Sequence, residues 1–159
     1  MSRRRDPRDG SRERPRFPGR HEVRWAIALL ALHAGLAIWG AAKSSTTFDE
    51  NFHLPAGVMI AARGDFSVSP VNPPLLKVLA ALPALAVGAR LPDSAAVASH
   101  NQWVVGESFM RRNADRYERV FFAARMVVVL VSVGLGVLVW RFGRRLHGRA
   151  VKAAPEAPH

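Results

Sequence analysis

Two long segments of predominantly apolar residues most constrain the fold of this chain. Residues 25–42 form an uncharged run of 18 residues, and residues 120–140 form a second run of 21 residues with Arg125 near one end. As helices these runs would measure roughly 27 and 31 Å, which is close to the hydrocarbon thickness of a bilayer. The sequence therefore predicts an all-α membrane protein, in which two transmembrane helices are joined by a long outer loop with interfacial helices.

Most of the basic residues lie beside these two runs. The chain has 23 Lys and Arg and a formal net charge of +11; nine arginines fall within residues 1–24 and five Lys or Arg within residues 141–159. Basic flanks are typical of the cytoplasmic side of a span, so both termini are predicted to be cytoplasmic. Residues 1–24, rich in Arg, Pro and Gly, are predicted to be a disordered tail, and residues 141–159 a basic end that finishes without structure. A nucleic-acid partner would explain the charge but not the apolar runs, and we expect none.

The first apolar run has a competing interpretation as a cleaved signal peptide. The small residues 40–42 would then form its cleavage site, but the run is longer than a usual signal core. We therefore favour a retained membrane anchor. His33 lies in mid-span, where we expect a neutral imidazole hydrogen-bonded to a neighbouring helix.

Residues 43–119 form the connection, whose eight basic and seven acidic residues are spread over 77 positions, so it is predicted to lie outside. It contains one more apolar stretch, at about 74–89, interrupted by Lys77 and Pro83. Leu75, Leu79 and Leu82 follow helical spacing, which predicts a helix lying in the membrane interface. The alternative is a third span, which would place the C-terminus outside.

Phe48-Asp49-Glu50-Asn51-Phe52-His53 follows the first span directly. A low dielectric at this boundary would raise the pKa of a carboxylate and make it a better general base. An equally weighted alternative is a hydrated turn in which Asp49 caps the next helix. Glu50 and His53 have the spacing of half a carboxylate-bridged metal site, but such a site requires repeated motifs on four helices, so no metal ligands are assigned.

Two further motifs follow in the connection. Gly64-Asp65 predicts a turn, and Pro73-Pro74 predicts a rigid entry to the apolar stretch. Lys77 on that stretch is placed to meet a lipid phosphate, with ordinary snorkelling to the surface as the alternative. The chain contains no cysteine, which excludes a disulfide framework and a Cys-ligated metal site.

Taken in order, these motifs resemble the first outer loop of the GT-C glycosyltransferases. The similarity is closest to the protein O-mannosyltransferase and aminoarabinose-transferase superfamily, whose bacterial members show DE-x-x-H, a GD turn and HPPL-x-K. It runs over about residues 25–148 and rests on Phe48-Asp49-Glu50, His53, Gly57, Gly64-Asp65, Pro73-Pro74-Leu75, Lys77, Leu82-Pro83, Asn113-Ala114-Asp115, Arg125, Arg144-Arg145-Leu146 and Gly148.

The resemblance implies transfer of a sugar from a polyprenyl-phosphate-linked donor to an unidentified acceptor, at the outer face of a bacterial inner membrane. It makes Asp49 and Glu50 the catalytic residues, with Asp49 as the base and Glu50 as its neighbour in the site or a contact to a metal or to the acceptor. Lys77, Arg125 and His53 are the implied contacts to the donor phosphate. No cofactor is implied with certainty, and a divalent metal at Glu50 is left open.

The chain departs from the family in two ways. Val71-Asn72 stands where relatives commonly have Glu-His, and the family's catalytic domain has many more spans. The expectation is therefore the N-terminal part of a transferase, truncated and inactive alone. The alternative is a small non-enzymatic membrane protein with a lipid-binding or partner-binding loop.

Overall fold

The computed structural model describes residues 20–70 and 72–153, with side chains from His21 to Leu146. This part of the chain is helical and contains no strand, which confirms the all-α class. Its six helices, in chain order, are α1 (Arg20–Lys43), α2 (Glu50–Arg63), α3 (Pro74–Ala86), α4 (Ser94–Ala98), α5 (Gln102–Arg112) and α6 (Tyr117–Ala153).

Two of these helices are long and apolar enough to cross a membrane. The qualifying segments are His21–Lys43 in α1 and Tyr117–Leu146 in α6, and they contain the two predicted spans. The two helices pack against each other. His33 Nε2 lies 3.0 Å from Ser132 Oγ, so the hydrogen bond predicted for His33 joins α1 to α6.

Both long helices extend beyond the predicted spans. Residues 20–24, predicted as part of the tail, form the first turns of α1, whereas residues 1–19 lie outside the described residues. Glu22 in the first turn complements the helix dipole. α6 continues through the basic segment to Ala153, because Arg, Leu and Ala are good helix formers and the next proline is Pro155. Residues 154–159 also lie outside the described residues.

The connection between the long helices folds into a small bundle, here called the outer bundle, made of α2 to α5 and the first turns of α6. Its main core is formed by buried side chains from four helices: Leu54, Val58, Ala81, Ala84, Phe109, Val120, Phe121 and Ala124. The start of the predicted second span, residues 120–124, therefore packs inside this bundle.

α3 packs with its small side chains inward. Ala81 and Ala84 are buried, whereas Leu75 and Leu82 are largely exposed. The helix runs without interruption through Lys77 and Pro83 and ends at Ala86, three residues before the predicted boundary. Its 13 residues measure about 20 Å, which is short for a span. An exposed leucine face on such a helix is consistent with the predicted interfacial position.

α2 ends where the sequence predicted a turn. Gly64 adopts a left-handed conformation with φ of 67°, and its N–H donates to the carbonyl of Ile60. The carboxylate of Asp65 then accepts a hydrogen bond of 2.9 Å from the N–H of Ser67. The predicted Gly64-Asp65 turn is thereby confirmed, and it directs the chain back toward α3.

Gly57 allows α2 and α3 to approach closely. A Cβ at this position would overlap the backbone carbonyl oxygen of Lys77. We expect Gly57→Ala to lower the free energy of unfolding by about 1–3 kcal/mol, because the two backbones must separate. Thermal unfolding in detergent, followed by circular dichroism, measures the effect. Gly40→Ala is the matched control, since a Cβ there meets nothing within 4 Å; equal melting temperatures for the two variants would contradict the expectation.

Candidate functional site

A cavity of about 320 Å³ lies between α2, α3 and α6. The five residues that the sequence predicted as a site all line it, although they come from distant parts of the chain: Asp49, Glu50, His53, Lys77 and Arg125. The fold thus places these five side chains around one volume.

Most of the cavity wall is apolar. The apolar side chains come from three helices: Leu54, Leu76, Ala80, Phe121, Ala124 and Val128. Asn72 and Pro73 contribute the segment that leads into α3. The cavity thus combines a few polar groups with a mostly apolar surface, which is the usual composition of a small-molecule site.

Arg125 makes more hydrogen bonds than any other described side chain that lines the cavity. Its Nε donates to Glu50 Oε1 at 2.8 Å and its Nη2 to Glu50 Oε2 at 2.7 Å, so the pair is bidentate. Its other N–H groups donate to carbonyl oxygens at the end of α1 and just beyond it, those of Ala41, Ser44 and Ser45. All five donors of the guanidinium are therefore engaged. Arg125 joins α6 to α2 and satisfies carbonyls that the end of a helix leaves without partners.

Glu50 is held on a second side as well. The N–H of Thr47 donates to Glu50 Oε2 at 2.8 Å. Burial acts to raise the pKa of Glu50, but the hydrogen bonds from Arg125 and Thr47 and the charge of Arg125 together lower it. The prediction that a carboxylate at the end of the first span has a raised pKa is therefore wrong for Glu50. Its side chain is ionised and bound to Arg125.

Asp49 differs from its neighbour. It is exposed at the start of α2, and its side chain makes no capping hydrogen bond there. In the part of the chain that the structure describes, its carboxylate has no ion-pair partner. Asp49 occupies the N-cap position of α2, but the alternative prediction that it caps the helix through its side chain is wrong. Asp49 is the carboxylate of the pair that remains available to a ligand.

Lys77 is a buried cation, only 7% exposed. Its Nζ donates to Ser69 Oγ at 2.9 Å and to the carbonyl oxygens of Ser69 and Asn72 at 3.1 and 3.4 Å. Among the described residues no carboxylate lies within ion-pair distance of it. Burial lowers the pKa of Lys77. The side chain therefore does not snorkel to the surface, and its charge faces neutral acceptors alone.

His53 lines the cavity together with Asp49 and Lys77. Burial and the positive charge of Lys77 lower the pKa of His53, while the charge of Asp49 acts in the opposite direction. Its ring is therefore neutral near pH 7. The Nδ1 atom is buried and has no hydrogen-bond partner among the described residues.

The residues that support this site carried weaker signals in the sequence. Asn72 lines the cavity, and its backbone carbonyl accepts a hydrogen bond from Lys77 Nζ. Tyr117 accepts a hydrogen bond of 3.1 Å from the N–H of Thr46. These contacts join residues that are far apart in the sequence or use backbone atoms, so no sequence pattern indicated them.

The site does not fit a divalent metal. Both carboxylate oxygens of Glu50 are bonded to Arg125, and one is also bonded to Thr47. Among the described residues, no group of three or more His, Asp or Glu converges. Glu50 and His53 therefore do not form the half-site that their spacing suggested, and no step is assigned to a metal.

No family model, curated protein or solved structure matches the chain. The function is therefore argued from the geometry of the site and from the motifs in the sequence. That geometry places an exposed carboxylate and a buried cation on one apolar cavity, beside two helices of membrane-spanning length.

Proposed function

We propose that this chain spans a membrane twice and that its outer bundle forms part of the active site of a glycosyltransferase. The donor is a sugar linked to a polyprenyl phosphate. The observation that carries the proposal is the shared cavity, whose walls are mostly apolar and which Asp49 and Lys77 both line. Neither of these two charged groups has an ion-pair partner among the described side chains. The ordered motifs that resemble the GT-C superfamily support the same function.

Membrane insertion is supported by the surface of the two long helices. Large apolar side chains point outward along both of them, and Trp25, Trp39, Leu130 and Leu138 are each more than half exposed. Water would make this exposure costly, whereas lipid would not. The basic flanks place both termini on the cytoplasmic side, and the outer bundle then faces the opposite side of a bacterial inner membrane.

Lys77 suits the phosphate of the donor. Its three N–H groups face neutral acceptors, so an incoming anion can replace the most distant of them, the carbonyl of Asn72 at 3.4 Å. The resulting charge-assisted bond is strengthened by desolvation. The apolar wall beside it suits the first isoprene units of the carrier. His53, with its neutral ring, lines the same cavity and is the second proposed contact to the phosphate.

Asp49 is proposed as the base. As the acceptor oxygen attacks the anomeric carbon of the sugar, its proton passes to the carboxylate of Asp49. The bond from the anomeric carbon to the phosphate oxygen breaks, and the polyprenyl phosphate leaves with the bonding electrons. Lys77 stabilises the charge on that leaving group.

Arg125 and Glu50 are proposed as positioning residues. For Arg125 to bind the donor phosphate, it would have to give up bonds to Glu50 and to the end of α1. Their mutual pairing instead fixes the start of α2, where Asp49 lies. This proposal replaces the direct phosphate contact that the resemblance implied for Arg125.

Binding of a polyprenyl phosphate tests the proposal. The full chain, reconstituted in nanodiscs, is titrated with radiolabelled polyprenyl phosphate and with the polyprenol of the same length. We expect the phosphate to bind and the alcohol to bind more weakly. Lys77→Met, which keeps the length of the side chain, should weaken phosphate binding about 10- to 100-fold, because one charge-assisted hydrogen bond is lost.

Lys43→Met serves as the control, since Lys43 is exposed at the end of α1. It removes the same charge and should leave the affinity within about twofold. Equal binding of the phosphate and the alcohol, or equal effects of the two substitutions, would contradict the role of Lys77. Phosphate binding without sugar transfer in native membranes would favour the non-enzymatic lipid-binding alternative.

A further inference from the structure

The contacts at the outer end of α6 limit the part of this helix that lipid can cover. Residues 120–124 pack within the outer bundle, and Arg125 donates to carbonyl oxygens at the end of α1. Hydrocarbon can therefore begin only near Met126. From there to Trp140, where the apolar run of the sequence ends, the helix measures about 22 Å. The hydrocarbon core of a bilayer is about 30 Å thick, and any tilt of the helix increases the length that is needed.

An exposed apolar stripe on α6 supplies the missing length. Large apolar side chains recur at helical spacing on one face, and each is more than half exposed: Val131, Leu135, Val139, Phe142 and Leu146. The last two lie beyond Trp140, among basic residues. From Met126 to Leu146 the helix measures about 31 Å, which matches the thickness of the hydrocarbon core. Lipid that covers the whole stripe therefore extends to Leu146.

α1 reaches the same level beside α6. His33 bonds to Ser132, and about one turn further along, the side chain of Leu30 packs so closely on Gly136 that a Cβ at residue 136 would overlap it. The two helices are therefore antiparallel, and each step back along α1 is matched by a step forward along α6. The same register brings Arg24, near the start of α1, to the level at which the stripe continues beyond the apolar run of α6.

Four arginines lie near this level, here called the arginine cluster: Arg24, Arg141, Arg144 and Arg145. All four are exposed, and none has an ion-pair partner among the described side chains. The Cζ atom of Arg144 lies 4.9 Å from the centroid of the Trp140 ring, so this guanidinium is turned back toward the membrane. Tryptophan rings favour the headgroup layer, which places the cation there as well.

The position of the cluster indicates its ligand. Its three members on α6 begin at a depth where lipid still covers Phe142 and Leu146, so their side chains reach the headgroup layer and not open water. A guanidinium there binds a phosphate group through two parallel, charge-assisted hydrogen bonds. Glu22 is the one carboxylate that the structure describes at this end of the helix pair, so the local charge is positive. Anionic lipids complement that charge.

We propose that the arginine cluster binds the phosphate groups of anionic lipids in the cytoplasmic leaflet, and that hydrocarbon covers α6 as far as Leu146. This inference rests on the membrane insertion stated in the proposed function. It names a second lipid site, toward the opposite end of α6 from the cavity. It also moves the cytoplasmic boundary of the second span from Trp140, where the apolar run ends, to Leu146.

Spin-label depth measurements test where the hydrocarbon ends. The chain has no cysteine, so a Phe142→Cys variant in nanodiscs carries the label at one position. Its collisions with oxygen should exceed those with a water-soluble nickel complex, as they should for the mid-span reference Leu135→Cys. Glu107→Cys on α5 is the reference for water. A label at position 142 that behaves like the one at position 107 would show that the bilayer ends before Phe142, and would overturn the proposal.

Quenching of Trp140 fluorescence by brominated lipids tests the ligand. The other three tryptophans are replaced by Phe, and mixed nanodiscs carry the bromine on either phosphatidylglycerol or phosphatidylcholine. We expect the anionic lipid to associate beside Trp140 about three- to tenfold more strongly, because each arginine near the headgroups adds attraction. Arg141→Gln combined with Arg145→Gln should reduce this preference to within about twofold. Both side chains are exposed, so the double change should spare the fold.

Lys43→Gln combined with Arg63→Gln is the matched control, since these two exposed cations lie at the ends of α1 and α2 on the outer side. It removes the same charge and should leave the lipid preference at Trp140 unchanged. Equal association of the two lipids in the wild type, or equal loss in the two double variants, would overturn the proposal. Equal association together with a water-exposed label at position 142 would assign the cluster to an acidic cytoplasmic partner instead.

The mid-span reference separates this inference from the proposed function. A label on Leu135→Cys that lies in lipid, with no preference for anionic lipid at Trp140, would remove the arginine-cluster site and leave both spans and the polyprenyl-phosphate site standing. A label there that lies in water would remove the spans, and with them the proposed function.

Discussion

Replacing Asp49 with Asn is expected to lower sugar transfer by about 10²- to 10⁴-fold, the usual contribution of a general base. The amide has nearly the shape of the carboxylate, but at neutral pH it does not take up the proton of the acceptor's hydroxyl group. Asp49 is exposed and makes no capping hydrogen bond, so the substitution should leave folding unchanged. Binding of polyprenyl phosphate should also persist, because Lys77 is intact.

The measurement is release of polyprenyl phosphate from labelled polyprenyl-phosphate sugars in membranes of the source organism. The codon is changed in the chromosome, so that the protein is tested at its native length. Glu107→Gln is the control, since Glu107 is an exposed carboxylate on α5 that makes only a surface ion pair. Transfer that survives Asp49→Asn at the control rate would exclude Asp49 as the base.

Replacing Arg125 with Met is expected to lower the free energy of unfolding by about 2–4 kcal/mol. The Arg125 side chain is 14% exposed and that of Glu50 29%, so Glu50 would be left largely covered and without its partner. The carbonyl groups at the end of α1 would lose their donors as well. Unfolding by SDS in detergent micelles, followed by circular dichroism, measures the change.

A double-mutant cycle separates the pair from its surroundings. Glu50→Gln combined with Arg125→Met should lower the free energy of unfolding by less than the sum of the two single changes. Each single change already removes the ion pair, so the second change cannot remove it again. The surface pair Glu107–Arg111, whose side chains are 71% and 66% exposed, is the comparison and should show about 0–1 kcal/mol of coupling. Additive effects at Glu50 and Arg125 would show that the bidentate pair contributes nothing of its own.

The same pair gives a pH dependence with a defined sign. The folded-state pKa of Glu50 is lowered, so its stabilising contribution is present above the ordinary pKa of about 4.5 and is lost as pH falls through the lower folded value. Wild-type stability should thus decline in acid more steeply than that of Glu50→Gln. Parallel acid profiles for the two chains would contradict this.

The sequence predicted the long helices well because their signal is simple. An uninterrupted apolar run as long as a bilayer is thick is uncommon outside membrane-spanning helices, and α1 and α6 contain both predicted runs. The predicted ends of the helices were less accurate, because residues 20–24 and 141–153 carry several charges but also contain good helix formers such as Arg, Glu, Leu and Ala. Apolar content locates a span, whereas helix propensity determines where the helix stops.

The sequence predicted which residues belong to the site, but it did not predict the contacts that they make. Asp49, Glu50, His53, Lys77 and Arg125 could be selected as charged or titratable groups in apolar surroundings or through family motifs. Which of two adjacent carboxylates is available could not be deduced, because Glu50 is distinguished by Arg125, 75 positions away.

α6 is one unbroken helix of 37 residues, about 55 Å long, which runs from the core of the outer bundle through the apolar segment into the basic end. Phe121, Ala124, Arg125 and Val128 on this helix form one wall of the cavity. A rigid rod that is seated in the bundle at one end transmits any change of tilt to that wall. In the proposed membrane orientation, a bilayer of different thickness would favour a different tilt of this helix, and we expect such a change to alter the width of the cavity.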